Sequence, residues 1–157
     1  MSQSPSPLDA SRLVIHKSDS LRQCPPVKDI VFGRTFTDHM LKIPWTAARG
    51  WGEPSIEPYG PLSLEPSSVV LHYAVTLFEG MKAYRDDHGK VRLFRPEKNM
   101  ERMNRSASRI CLPNFDETEL LKLIKKLVQL DQHWVPSEPG YSMYIRPTLI
   151  GTEPSVS

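Results

Sequence analysis

MKAYRDDHGKVRLFRPEKNMERMNRSASRI, residues 81–110, changes period once, from two to about three and a half, and that change decides the fold. MKAYR and KVRLFR flank DDHG, whose Gly89 supplies a turn, so residues 81–95 read as a β-hairpin. From Pro96 the spacing becomes helical. Proline suits a first helical position, where its missing N–H would have no intrahelical partner, and Met100, Met103, Ala107 and Ile110 recur on one face. Pro113 closes that helix. Asp116, with Glu119 three positions on, then caps a second helix. Its Leu120, Leu121, Ile124, Leu127 and Val128 form a buried stripe, while Lys122, Lys125 and Lys126 face water.

On the amino-terminal side, DIVF and RTFTDHMLKI are rich in β-branched and aromatic residues and read as strands ending at Pro44. ARGWGEPSIEPYGP, residues 48–61, reads as a loop with short extended pieces. Residues 67–78 hold an apolar element that periodicity leaves open between a helical turn and a buried strand. Residues 141–150, YSMYIRPTLI, return as a strand. The order strands, two helices, strand predicts an α+β fold: a mainly antiparallel sheet with two helices on one face. Residues 1–28 are polar and Pro-containing and read as a disordered leader, with one domain over residues 29–150.

Bulk properties narrow the function classes. A chain of 157 residues suffices for one core. Hydrophobic residues at 39% and charged residues at 24% are ordinary for a globular protein. A net charge of +2, with both signs mixed along the chain, argues against nucleic-acid and membrane-surface partners. No apolar run approaches the roughly 20 residues that cross a bilayer. Cys24 and Cys111 show no metal-ligand spacing and read as reduced thiols. In MSQSPSPLDASR the single arginine and Asp9 make a poor mitochondrial presequence, which points to the cytoplasm, with mitochondria as the alternative.

No nucleophile–base pair stands out, and the five histidines lack the spacing of a metal site. The unusual feature is arginine in apolar surroundings. Arg102 sits one residue off the Met100/Met103 face, and with Arg105 and Arg109 it forms a basic row that also reads as a solvated helix face. Arg146, in YIRP, lies between apolar neighbours on a strand. A guanidinium there needs an anion, and its planar fork suits a carboxylate or phosphate. Residue type alone leaves a structural ion pair and a ligand contact equally open.

Four separated blocks carry a resemblance: VFGRTFTDHM, LHYAVTLFEGMKAYR, RLFRPEKNMERMNRSA and YIRPTLIGTEPS. Together, over residues 29–155, they resemble the branched-chain amino-acid aminotransferases among the fold-type-IV pyridoxal phosphate enzymes, specifically the amino-terminal small domain. The resemblance implies amino-group exchange between leucine, isoleucine or valine and 2-oxoglutarate, with pyridoxal 5'-phosphate as cofactor and a homodimer in the full-length form.

Residue by residue, Arg102 falls where the family holds the cofactor phosphate. Tyr73 and Phe78 match the aromatic wall around the substrate side chain, and Phe32 is expected to join it; such a wall gains about 0.8 kcal/mol per buried methylene. Tyr144 and Arg146 match a Tyr-x-Arg pair that borders the pocket and recognises the substrate carboxylate. Part of the family's pocket is completed across a dimer interface, which leaves open whose site Tyr73 serves. The family's Schiff-base lysine lies in a second, larger domain. The resemblance places residues 151–157 at the start of the interdomain loop, so the chain is expected to be truncated before that lysine and inactive alone. Lys82 aligns with a non-catalytic lysine. The alternative expectation is a non-catalytic module that pairs with full-length subunits.

Overall fold

A computed structural model describes residues 5–156. In chain order its elements are β1 (Val14–Ile15), β2 (His39–Lys42), β3 (Trp45–Thr46), β4 (Gly50–Trp51), β5 (Ser55–Pro58), α1 (Val69–Tyr73), β6 (Thr76–Phe78), β7 (Met81–Arg85), β8 (Val91–Leu93), α2 (Pro96–Arg109), α3 (Glu117–Leu130), β9 (Met143–Ile145) and β10 (Thr148–Ile150). Short 3-10 turns occur at Ala10–Arg12, Val27–Asp29 and Gln132–Trp134.

The expected hairpin is β7–β8, closed by a turn in which Gly89 takes φ +77°. Strand β9 adds to its other edge, giving the order β8-β7-β9, antiparallel throughout. The fold is α+β as expected, but the sheet is divided. A second three-stranded sheet runs β1-β5-β2, and β6–β10 and β3–β4 are separate antiparallel ribbons. The single strand expected over residues 141–150 is two, β9 and β10. Pro147 lies between them, and each half pairs with a different sheet. DIVF is not a strand: residues 27–29 form a 3-10 turn and residues 32–34 a further turn. The open element at residues 67–78 resolves into both alternatives, α1 followed by β6.

Both long helices bury most of the predicted faces, though in α3 Leu123 joins the core and Leu127 is only half-buried. Met100, Met103 and Ala107 of α2 pack with Leu120, Leu121, Leu123, Ile124 and Val128 of α3, over Leu77, Met81 and Ala83 from β6 and β7. Ile110 departs from its stripe and is 36% exposed. Helix α2 ends at Arg109, and Cys111, at φ +58°, turns the chain away before Pro113 is reached. Asp116 caps α3 by accepting the Glu119 N–H at 2.9 Å. Glu119 does not reach back; its carboxylate accepts the Ala10 N–H at 2.7 Å and a proton of Lys122 Nζ at 2.6 Å.

That contact belongs to the largest departure from expectation, the ordered leader. Leu8 is 3% exposed and lies in the main core. Asp9 caps the first 3-10 turn, and β1 runs parallel to β5. Ser6 exchanges backbone hydrogen bonds with Arg49 and Trp51 around Gly50. Gly50 has φ +76°, and a Cβ there would lie 2.4 Å from the Ser6 carbonyl oxygen, so glycine is what lets the strap approach. The polar, proline-rich composition concealed an attachment that rests on Leu8, with Ala10 and Leu13 packed beside it, on backbone pairing and on the Glu119 carboxylate. Residues 1–4 of the expected leader lie outside the described residues.

Further along, two buried carboxylates fasten residues 18–22 to the domain. Asp131 accepts the His39 N–H at 3.0 Å and the Nδ1–H at 2.6 Å. His39 Nε2 accepts the Ser18 N–H at 2.9 Å, which places the ring proton on Nδ1. Asp38 accepts from the backbone and Nε of Arg22, from Trp134 Nε1 and from His133 Nε2. Burial alone would raise the Asp38 pKa, but these donors outweigh it and hold the carboxyl at about 2.

Candidate functional site

The apolar run TLFEGM is interrupted by Glu79–Gly80 at the junction of β6 and β7. Strand alternation sends Leu77 inward and Phe78 out, and Glu79 turns in again at 4% exposure. A carboxylate so placed needs donors. It receives Arg102 Nε at 2.5 Å, Arg102 Nη2 at 2.6 Å, Asn99 Nδ2 at 3.0 Å and the Gly80 N–H at 3.2 Å. Asn99 and Arg102 stand three residues apart on α2 and so present to the same side. Asn99 also donates to the Gly80 carbonyl at 3.0 Å, fixing the junction itself. Burial would push the Glu79 carboxyl up, but the donors from Arg102, Asn99 and Gly80 hold it below the usual range. In return the hydrogen bonds to Glu79 raise the Arg102 pKa.

The Arg102 side chain is 53% exposed, and its Nη1 donors make no hydrogen bond among the described residues. One edge of the guanidinium is therefore fixed by a buried carboxylate and the other faces solvent. That is a donor set suited to an anion with several oxygens.

Gly80 connects this pair to a second arginine. A Cβ on Gly80 would fall 2.1 Å from Tyr144 Oη, so the phenol lies against the bare backbone. The β7–β9 register sets Lys82 opposite Tyr144. Arg146 follows Tyr144 by two residues, on the same side of an extended chain, and donates to its hydroxyl oxygen from Nε at 3.3 Å and Nη2 at 3.0 Å. The guanidinium carbon stands 4.1 Å from the Phe78 ring centroid and 5.0 Å from that of Tyr144. Phe32 meets Tyr144 edge to face at 5.4 Å. Phe32 and Phe78 remain 77% and 60% exposed, so this aromatic group has one open side.

Of the residues singled out in the sequence, Phe32, Phe78, Tyr144 and Arg146 thus meet in one cluster, and Arg102 adjoins it through Glu79–Gly80. Tyr73 stands apart. It lies at the end of α1, near His72, and its hydroxyl donates to the Val156 carbonyl at 2.7 Å. It makes no ring contact with the cluster among the described residues. Arg105 and Arg109 are exposed on α2. All nine lysines, Lys82 included, are exposed. Glu79, Gly80 and Asn99 were not singled out. The signal was present: an acid in an apolar run, with an amide and a guanidinium one helical turn apart downstream.

No family model matches the chain. It is 58% identical over 146 residues to the mitochondrial branched-chain-amino-acid aminotransferase of Saccharomyces cerevisiae, covering 93% of this chain and 37% of that protein. To the cytosolic enzyme of the same yeast it is also 58% identical, over 93% of this chain and 39% of that protein. To the cytosolic branched-chain-amino-acid aminotransferase of Mus musculus it is 54% identical, over 94% and 38% respectively. Among solved structures, the branched-chain aminotransferase of Thermoproteus uzoniensis with norvaline aligns with TM-score 0.54 and 27% identity, covering 65% of this chain and 32% of that one. A T.th. branched-chain amino acid aminotransferase with pyridoxamine 5'-phosphate aligns with TM-score 0.52 and 27% identity, covering 62% and 30%. The chain spans about two fifths of the length of the curated relatives it matches. In sequence along nearly all of its length, and in fold along most of it, the chain resembles the small domain of the branched-chain amino-acid aminotransferases.

Proposed function

We propose that this chain contributes the cofactor-phosphate arginine and part of the substrate pocket to a branched-chain amino-acid aminotransferase acting on leucine, isoleucine or valine and 2-oxoglutarate. The observation that carries the reading is the pair of half-fixed guanidinium groups on either side of Gly80, each with an Nη1 that makes no hydrogen bond among the described residues. An amino-acid transaminase must hold two anions, a cofactor phosphate and a substrate carboxylate. Pyridoxal 5'-phosphate, when bound, supplies the electron sink for the transfer.

This chain's residues bind and orient. Arg102 takes the phosphate on its open edge. Arg146, held over the Phe78 ring and by the Tyr144 hydroxyl, takes the substrate carboxylate. Phe32, Phe78 and the Tyr144 ring give the aliphatic side chain an apolar wall, which favours branched chains over polar ones. Tyr73, which makes no ring contact with this cluster among the described residues, is assigned to a different wall, that of the neighbouring pocket in a homodimer.

Proton transfer is left to the rest of the enzyme. A lysine that attacks a carbonyl near neutral pH needs a desolvated or cationic setting, and every lysine here is exposed. The test is reconstitution. The 157-residue chain is mixed with the complementary carboxyl-terminal portion of the yeast cytosolic relative, and glutamate formation from leucine and 2-oxoglutarate is followed. The mixture should turn over and the chain alone should not. Co-eluting halves that make no glutamate would contradict the proposal.

A further inference from the structure

We infer that Glu79 is a positioning residue that aims the Arg102 guanidinium at a phosphate monoester, with Asn99 bracing the carboxylate; this rests on the phosphate role proposed for Arg102. The geometry distinguishes aiming from mere pairing. Glu79 is almost fully buried, and three neighbours fix its oxygens: the Asn99 amide, the Gly80 N–H and Arg102 itself. It grips Arg102 side-on, through Nε and Nη2, the arrangement that locks a guanidinium in a plane and leaves Nη1 outward. Asn99 holds both Glu79 Oε2 and the Gly80 carbonyl, so rotating the carboxylate would cost its bonds from the Asn99 amide and the Gly80 N–H. A free arginine side chain on a helix surface would lose rotamer freedom on meeting an anion. Here that loss has already occurred on folding, and the phosphate meets a donor in place.

Two effects of Glu79 on an anion oppose each other, which makes the inference easy to overturn. Its negative charge beside Arg102 weakens the attraction for phosphate, while its grip on the guanidinium strengthens it. If charge dominates, the isosteric Glu79→Gln binds phosphate more tightly; if positioning dominates, it binds more weakly. We expect positioning to win by about tenfold in dissociation constant, because a dianion needs aligned donors as much as net charge.

The experiment uses the 157-residue chain, isotopically labelled, with inorganic phosphate and pyridoxal 5'-phosphate as probes. The Arg102 Nε–H resonance reports its hydrogen bond to Glu79 directly, and its displacement on titration gives the affinity. Unloaded protein should show a slowly exchanging Arg102 Nε–H that becomes fast in Glu79→Gln, with phosphate binding weakened about tenfold. Asn99→Ala leaves the charges untouched and should weaken binding about threefold. It provides the measurement if Glu79→Gln fails to give a cooperative melt. Unchanged or tighter binding in these variants, with Arg102→Ala still abolishing it, overturns the positioning role and leaves the phosphate role standing. Binding that Arg102→Ala does not weaken, or no response of Arg102 to either probe, overturns both.

Discussion

Two clusters in this chain surround buried carboxylates with nitrogen donors, and they differ in where the donors come from and in what else the arginine holds. At Asp38 and Asp131 the donors come from several parts of the chain: Arg22, His39, His133 and Trp134. The guanidinium there is tied to backbone as well as to the carboxylate. Arg22 gives Nε to Asp38 and Nη2 to the carbonyls of Phe36 and Thr37, and lies over the Trp134 ring at 5.4 Å. At Glu79 the side-chain donors come from one face of α2, and the guanidinium they include turns its other edge to solvent beside an open aromatic group. Residue type does not separate the two, since each is an acid, an arginine and aromatics. Each arginine side chain is 53% exposed and leaves Nη1 without a hydrogen bond among the described residues. What separates them is that Arg22 spends Nη2 on two backbone carbonyls, whereas Arg102 gives both of its bonds to one carboxylate. An arginine that also bonds the backbone of another segment fastens chain to chain, whereas one bonded only to a carboxylate at the edge of an open aromatic group is placed for a contact with something else.

The comparison breaks most visibly at Asp131. Asp131→Ala would leave the His39 N–H and Nδ1–H buried without an acceptor, and the loss of stability should be about 3 kcal/mol. Urea denaturation followed by tryptophan fluorescence would read it, and a loss under about 1 kcal/mol would show the clasp to be incidental. Acid should loosen the same region next. Asp38 is held below its ordinary 3.8, at about 2, so its contribution is complete above roughly pH 4 and disappears as pH falls through about 2. From that shift the contribution is on the order of 2 kcal/mol. An Asp38→Asn protein should lose this acid dependence, and an identical pH–stability curve would contradict the assignment.

At the site the effects on stability shrink while the effects on function grow. Gly80→Ala pushes a methyl into Tyr144 Oη, so the phenol must swing outward and release Arg146. The overpacking should cost about 1 kcal/mol, while leucine turnover in the reconstituted enzyme falls at least tenfold. A substitution that leaves turnover unchanged would show the Tyr144–Arg146 pairing to be irrelevant. Arg146→Ala, at an exposed position, should shift stability by under about 0.5 kcal/mol in the same urea assay.

How much of this was legible in the sequence follows from where each element gets its energy. The β7–β8 hairpin and both long helices were readable because turn chemistry, Pro96, the Asp116 cap and the apolar spacing all act within a few residues. The strap at residues 6–16 was not. Its order comes from distant partners, Gly50, β5 and the core around Leu8, and no local pattern encodes them. Ile110 was misplaced because the chain reversal at Cys111 uses a positive φ that a cysteine rarely adopts. In the site, Arg102 and Arg146 stood out as charges in apolar surroundings, and family resemblance gave them roles. Glu79 was silent because a single acid between two strands looks like surface until its burial is seen.

The central claim is that the two arginines hold two different anions, and one kinetic comparison in the reconstituted enzyme tests it most directly. Arg102→Ala and Arg146→Ala would each be assayed across a matrix of pyridoxal 5'-phosphate and leucine concentrations. The account predicts a crossed result. Arg102→Ala should need at least tenfold more cofactor for half-maximal activity, with the leucine KM little changed at saturating cofactor. Arg146→Ala should raise the leucine KM at least tenfold and leave the cofactor requirement alone. If either substitution shifts both requirements together, or neither shifts any, the division of labour between the two arginines is contradicted.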